Sequence, residues 1–160
     1  MTKGLLTLCV ILIFANMPAR ADWVSLQGGQ MPANVLAVGQ SGSGQRFYVC
    51  RAPYEGGVHP GMVGPSGTCD ITFDGTQYSL PTYEVLIDQG YSWAAVHYGG
   101  IPFDAFPAGK EQQGDTLYIC RGDVEAQWFL GKISRTYSGC SIPHAGKELK
   151  AAWYEVLVRN

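Results

Sequence analysis

Phe47-Tyr48-Val49-Cys50-Arg51 recurs as Leu117-Tyr118-Ile119-Cys120-Arg121, a displacement of 120 − 50 = 70 residues. This internal repetition constrains the fold more than any other feature of the chain. The same displacement relates Trp23 to Trp93, Pro32 to Pro102, Gly39 to Gly109 and Gly61 to Gly131. After one inserted residue it continues at 140 − 69 = 71, matching Cys69 with Cys140 and Tyr83-Glu84-Val85-Leu86 with Tyr154-Glu155-Val156-Leu157. One supersecondary unit is therefore built twice, over residues 22–88 and 89–160. The junction at Asp88-Gln89-Gly90 is a turn signal and not a flexible linker, so the copies are expected to share a core as one compact unit.

Within each copy the pattern is that of strands. Tyr48 and Cys50 alternate with Phe47, Val49 and Arg51, and Cys69, Ile71 and Phe73 share one face of the next run. Helical periodicity is weak throughout, which predicts an all-β fold. Gly39-Gln40-Ser41-Gly42-Ser43-Gly44 superficially resembles a phosphate-cradling loop, but it lacks the Gly-Lys-Ser/Thr ending and no helix follows, so it is read as a hairpin turn.

Four of the five cysteines lie beyond an N-terminal export signature. Lys3 precedes an apolar run from Leu5 to Phe14, and Ala19-Arg20-Ala21 is a small-x-small cleavage pattern, so residues 1–21 are expected to be a cleaved signal peptide. A membrane anchor would need roughly twenty apolar residues, and this run is shorter. Removal of the signal takes Cys9 with it and leaves Cys50, Cys69, Cys120 and Cys140, an even set suited to a secreted or periplasmic protein. Three pairings are open to four cysteines. The repeat proposes Cys50–Cys69 with Cys120–Cys140, one equivalent bridge inside each copy. No Cys-x-x-Cys occurs, and His59, His97 and His144 show no metal-ligand spacing with the thiols, so neither a redox role nor a zinc site is expected. Beyond the signal, nine basic residues face thirteen acidic ones, 9 − 13 = −4, with no basic stripe, which argues against nucleic acid and anionic membrane as partners.

Trp23-Val24 at the start, Tyr48-Val49-Cys50-Arg51-Ala52, Pro60-Gly61, Gly146-Lys147-Glu148 and the closing Tyr-Glu-Val-Leu of each copy together resemble the DM-nine repeat family. The likeness covers residues 23–158. It implies intertwined antiparallel sheets from two tandem, pseudo-symmetric copies. Family members include mannose-binding lectins and natterin-type proteins, in which the repeats accompany a pore-forming module; no such module is expected within these residues. The resemblance also implies a sugar site made of an acidic residue two positions after an Ala-Gly-like step and the lysine of a Pro-Gly-Lys step. In the first copy those places hold Ser41 and Met62; in the second they hold Glu111 and Lys132, with Leu130 replacing the proline. A ligand site is thus expected in the second copy.

The chemistry suits a sugar, because a carboxylate accepts from one hydroxyl while an ammonium donates to its neighbour. Trp128 and Phe129 lie just before Lys132, in what reads as a loop, and either ring could stack on a sugar face. The plainer alternatives are solvated surface charges for Glu111 and Lys132 and core packing for the rings. Glu84 and Glu155, repeated within a strand, are expected to anchor an arginine or a backbone. Arg121-Gly122-Asp123 is read as a chance adhesion tripeptide, since its counterpart is Arg51-Ala52-Pro53. No nucleophile-and-base set or metal set announces itself, so no enzyme and no cofactor are expected. The leading expectation is a lectin-like module for mannose-type glycans, gaining avidity as a homodimer or through a partner protein. The alternative is a secreted protein-interaction or toxin-accessory module without a sugar site.

Overall fold

A computed structural model describes residues 22–27, 30–40 and 43–160. The expected signal peptide and Ser41 lie outside the described residues. Among those described, every regular element is a strand. From the first copy come β1 (Trp23–Gln27), β2 (Ala37–Gln40), β3 (Arg46–Tyr54), β4 (Gly57–Val63), β5 (Cys69–Phe73), β6 (Thr76–Leu80) and β7 (Thr82–Leu86). From the second come β8 (Ser92–His97), β9 (Pro107–Lys110), β10 (Thr116–Val124), β11 (Gln127–Ile133), β12 (Cys140–His144), β13 (Lys147–Ala151) and β14 (Trp153–Val158). No helix among the described residues is long and apolar enough to cross a membrane.

All described strands belong to one antiparallel sheet, twelve of them ordered β1-β7-β3-β4-β5-β6-β13-β12-β11-β10-β14-β8, with β2 beside β3 and β9 beside β10 off this path. The pseudo-twofold axis passes between β6 and β13, where the two copies exchange reciprocal bonds. Gln77 N donates to Gly146 O at 3.2 Å, and Glu148 N donates to Gly75 O at 3.1 Å. On the far side β9 pairs with both β10 and β4, Val58 facing Lys110, which closes β4 to β6 and β9 to β13 into a barrel. Closure leaves those strands without free edges. It also demands close backbone contact. A Cβ on Gly109 would sit 2.0 Å from Val58 O, and one on Gly61 or Gly131 would sit 2.1 or 2.0 Å from Asp70 O or Ser141 O. Glycine recurs at these places because no other residue leaves room for the neighbouring strand.

Three apolar clusters hold the sheet together. The central one draws Leu36, Val38, Val49 and Met62 from the first copy and Phe106, Ala108, Ile119 and Leu130 from the second, so the copies share a core. The two flanking clusters each lie within one copy, around Cys50–Cys69 and Cys120–Cys140, the disulfides expected from the repeat. β3 and β10 are buried on both faces because Val49 and Ile119 enter the shared cluster while Cys50 and Cys120 enter the flanking ones. Each bridge closes a loop of about twenty residues, for which chain entropy gives roughly 3 kcal/mol.

The repeated glutamates anchor arginines. Arg51 Nε donates to Glu84 Oε2 at 2.6 Å, and Arg121 Nε donates to Glu155 Oε2 at 2.6 Å. Arg121-Gly122-Asp123 therefore runs inside β10, its arginine already held.

Candidate functional site

Lys132 occupies, in β11, the position that Met62 holds in β4, and like Met62 it is buried, with its side chain 3% exposed. A buried ammonium is costly unless several groups face it. Three do. Lys132 Nζ lies 2.9 Å from His59 Nδ1 and 3.6 Å from Glu111 Oε1, and the Tyr137 ring centroid is 6.0 Å away. Glu111 sits in the tight turn after β9, where its N–H donates to Asp115 O at 2.9 Å and its carbonyl accepts from Gly114 N at 3.0 Å. Tyr137 donates its hydroxyl hydrogen bond to Glu111 Oε1. Glu111 and Lys132 thus meet, but as part of a network that joins the two copies.

Partner geometry assigns the protons. His59 Nε2 lies 3.1 Å from the Tyr54 carbonyl, which only accepts, so Nε2 carries the hydrogen and Nδ1 accepts from Lys132. Burial first, and then the Lys132 charge, push the His59 pKa below its ordinary value, keeping the ring neutral. Burial also lowers the Lys132 pKa, with Glu111 and Glu148 opposing the shift. Tyr137 is driven the other way, its phenol pushed far up by burial and then by the bond to Glu111. The chain of contacts continues through Lys150, which lies 4.4 Å from the Tyr137 ring centroid and 3.0 Å from Glu148 Oε1. Ser141 donates to Glu148, and Thr72 of the first copy lies 2.6 Å from Ser141 Oγ. Burial disfavours the Glu148 carboxylate, yet the Ser141 hydrogen bond and Lys150 prevail and hold its pKa below the usual value.

Outside this network, the turn at Glu111 and the loop before β12 border a small polar cleft lined by Asp115, Thr116, Tyr118, Arg135 and Thr136. The first copy places Gln45, Arg46, Tyr48, Pro65 and Ser66 at the corresponding positions, so the acid is replaced by Gln45 and the guanidinium stands in the place of Thr116 and not of Arg135. Exposed rings lie on the same copy. Tyr98 and Trp153 are 70% and 66% exposed, and His97 stacks on Trp153 with centroids 4.8 Å apart. The Tyr98-Gly99 turn rests on the Tyr137 loop, where a Cβ on Gly99 would be 2.7 Å from Tyr137 O.

Trp128 and Phe129 belong to β11 and not to a loop, which corrects the expectation from sequence. Both are half-buried. Trp128 packs on Arg121 at 4.7 Å, and Phe129 packs on Phe47 at 5.6 Å and edge-on to His144. Their ring contacts lie apart from Glu111 and Lys132. Sequence reasoning passed over His59, Tyr137, Asp115 and Arg135. The available signal was asymmetry between the copies: the loop carrying Tyr137, Ser134–Gly139, is the one with the inserted residue.

The structure thus combines a closed double-copy β fold with a small polar cleft in the second copy. The profile of the DM9 repeat matches residues 7–69 and 42–151, and the chain belongs to the DM9 repeat family. That family is one of binding modules and is not a known enzyme family; it is compatible with a lectin-like carbohydrate-binding role. Natterin-4 of Thalassophryne nattereri is 25% identical over 143 residues, which make up 87% of this chain and 34% of the relative. The chain thus spans about a third of that relative's length, 34%. Two disulfides fit an extracellular protein.

Proposed function

We propose that this chain is an exported lectin-like module that binds a glycan, mannose-type favoured, in the second copy beside Glu111. The observation that carries the reading is the polar cleft between the Glu111 turn and the Tyr137 loop. Asp115 accepts, Arg135 donates, Thr116 and Thr136 do either, and the Tyr118 ring offers an apolar face, which together suit vicinal hydroxyls and a sugar C–H surface. Glu111, 12% exposed, adds an acceptor at the edge, and Lys132 fixes it from behind without reaching solvent. A few charge-assisted hydrogen bonds of about 1.5–3 kcal/mol each, less ordering costs, give a weak single site. Useful avidity then calls for a dimer or a multivalent partner.

The test is a glycan array with the oxidised protein, run beside Arg135→Ala and Glu111→Gln. Binding to mannose-type glycans that Arg135→Ala loses at unchanged melting temperature, and that Glu111→Gln loses while still folded though less stable, is the expected result. A folded parent that binds no glycan removes the reading. The exposed rings Tyr98, Trp153 and Phe103, the last 98% exposed, would then favour a module for protein contacts.

A further inference from the structure

The two copies differ at the arginine that follows each Tyr-x-Cys. In the second copy Arg121 Cζ lies 4.3 Å from the Trp93 ring centroid and 4.7 Å from that of Trp128, so its guanidinium carries two indoles. In the first copy Arg51 Cζ stacks on Trp23 at 4.2 Å, and the place of Trp128 is taken by Val58. The registers agree: β10 and β11 set Asp123 opposite Trp128, as β3 and β4 set Pro53 opposite Val58. The smaller side chain leaves space. Two open clefts of about 310 Å³ each meet at Val58 and Glu84, one reaching Arg51, Pro107 and Lys110, the other reaching Pro53. Their size falls at the lower end of ligand sites. The Arg51 and Glu84 side chains are correspondingly more exposed, 25% and 36% against 19% and 24% for Arg121 and Glu155.

Arg51 is held for stacking before any ligand arrives. Its Nε donates to Glu84 and its Nη1 donates to the Ala108 carbonyl of the other copy at 3.1 Å. A guanidinium fixed edge-on by hydrogen bonds keeps its faces for aromatic rings, and stacking on indole is its strongest form of that contact.

We propose that the first-copy cleft is a binding site for a tryptophan side chain of a partner polypeptide, which enters beside Arg51 in the place that Trp128 fills in the second copy. The molecule supplies its own template for the bound state: an indole projecting from an extended strand onto the equivalent arginine. Ser25, Leu26 and Gln27 of β1, the strand that ends the sheet, border the same opening, so the partner's indole enters beside the sheet's outermost strand.

The test is titration of the oxidised protein with N-acetyltryptophanamide, followed by NMR at the Arg51 Nε–H and the Val58 and Lys110 amides, with N-acetylleucinamide as control. The expected result is a saturable shift of those signals with the indole probe alone, while Arg121 stays still. Val58→Trp, which copies the second repeat, is expected to lose the shift. Trp128→Val is expected to gain a matching one at Arg121 Nε–H. No shift in the parent, an equal shift with the leucine probe, or a shift that survives in folded Val58→Trp overturns the proposal. If Val58→Trp does not fold, absence of the gain at Arg121 in Trp128→Val overturns it. None of these readouts depends on glycan binding.

Discussion

Lys132 and Met62 occupy equivalent places in one barrel, and the contrast isolates what a buried charge does. The central apolar cluster accepts Met62 without any polar partner, whereas Lys132 needs His59 and Glu111. Lys132→Met alone removes the cation from a carboxylate only 12% exposed and is expected to cost about 3 kcal/mol in urea unfolding, near the low end for a broken buried pair because Tyr137 still donates to Glu111. Adding Glu111→Ser recreates the first-copy combination. The double variant is expected to return to within about 1 kcal/mol of the parent, as replaced buried ion pairs commonly do. A double variant no better than the single one would make the pair a requirement of the fold. His59 adds a pH dependence. Its folded pKa lies below the ordinary 6.5, so as pH falls through that value the unfolded chain takes up a proton that the native ring, 2.9 Å from Lys132, resists. Stability is therefore complete above about pH 6.5 and declines below it. Melting temperatures from pH 8 to pH 5 are expected to fall more steeply for the parent than for His59→Gln, and parallel curves would refute the assignment.

Among the elements, the hairpins explain which strands the sequence disclosed. The first copy turns at Glu55-Gly56 and Asp74-Gly75, with both residues of each turn at positive φ. Such turns need glycine or a short polar residue, and the glycines make them visible. The hairpin of β10 and β11 turns at Glu125-Ala126, with φ of 53° and 62°, and has no glycine. Without that punctuation Trp128 and Phe129 read as loop residues, although they begin a strand whose register runs from Val124 opposite Gln127 to Tyr118 opposite Ile133. The left-handed conformation strains Ala126 at its Cβ. Ala126→Gly is expected to raise stability by about 1 kcal/mol, read as a higher urea midpoint at unchanged slope. An unchanged or lower midpoint would mean that the turn relaxes without glycine.

For the molecule as a whole, barrel closure makes each copy depend on the other. β9 of the second copy fills the gap beside β4, Arg51 bonds the Ala108 carbonyl, and the central cluster draws on both halves. Residues 22–88 or 89–160 expressed separately are expected to give collapsed amide spectra, whereas the intact oxidised chain gives dispersed ones; a dispersed half would show that the copies fold alone. The repetition, the strand class and the disulfide pairing were legible in the sequence by itself. They rest on short-range periodicity written twice, so each copy checks the other, and pairing the cysteines inside each copy closes the same short loop twice. Only the tertiary structure decided which charges are buried and which clefts stay open. Lys132 meets His59 across 73 residues of sequence, and Trp128 fills a space that Val58 leaves empty. Both outcomes depend on how two nearly equal copies pack against each other, where one substituted side chain determines whether an interior position is filled, charged or vacant.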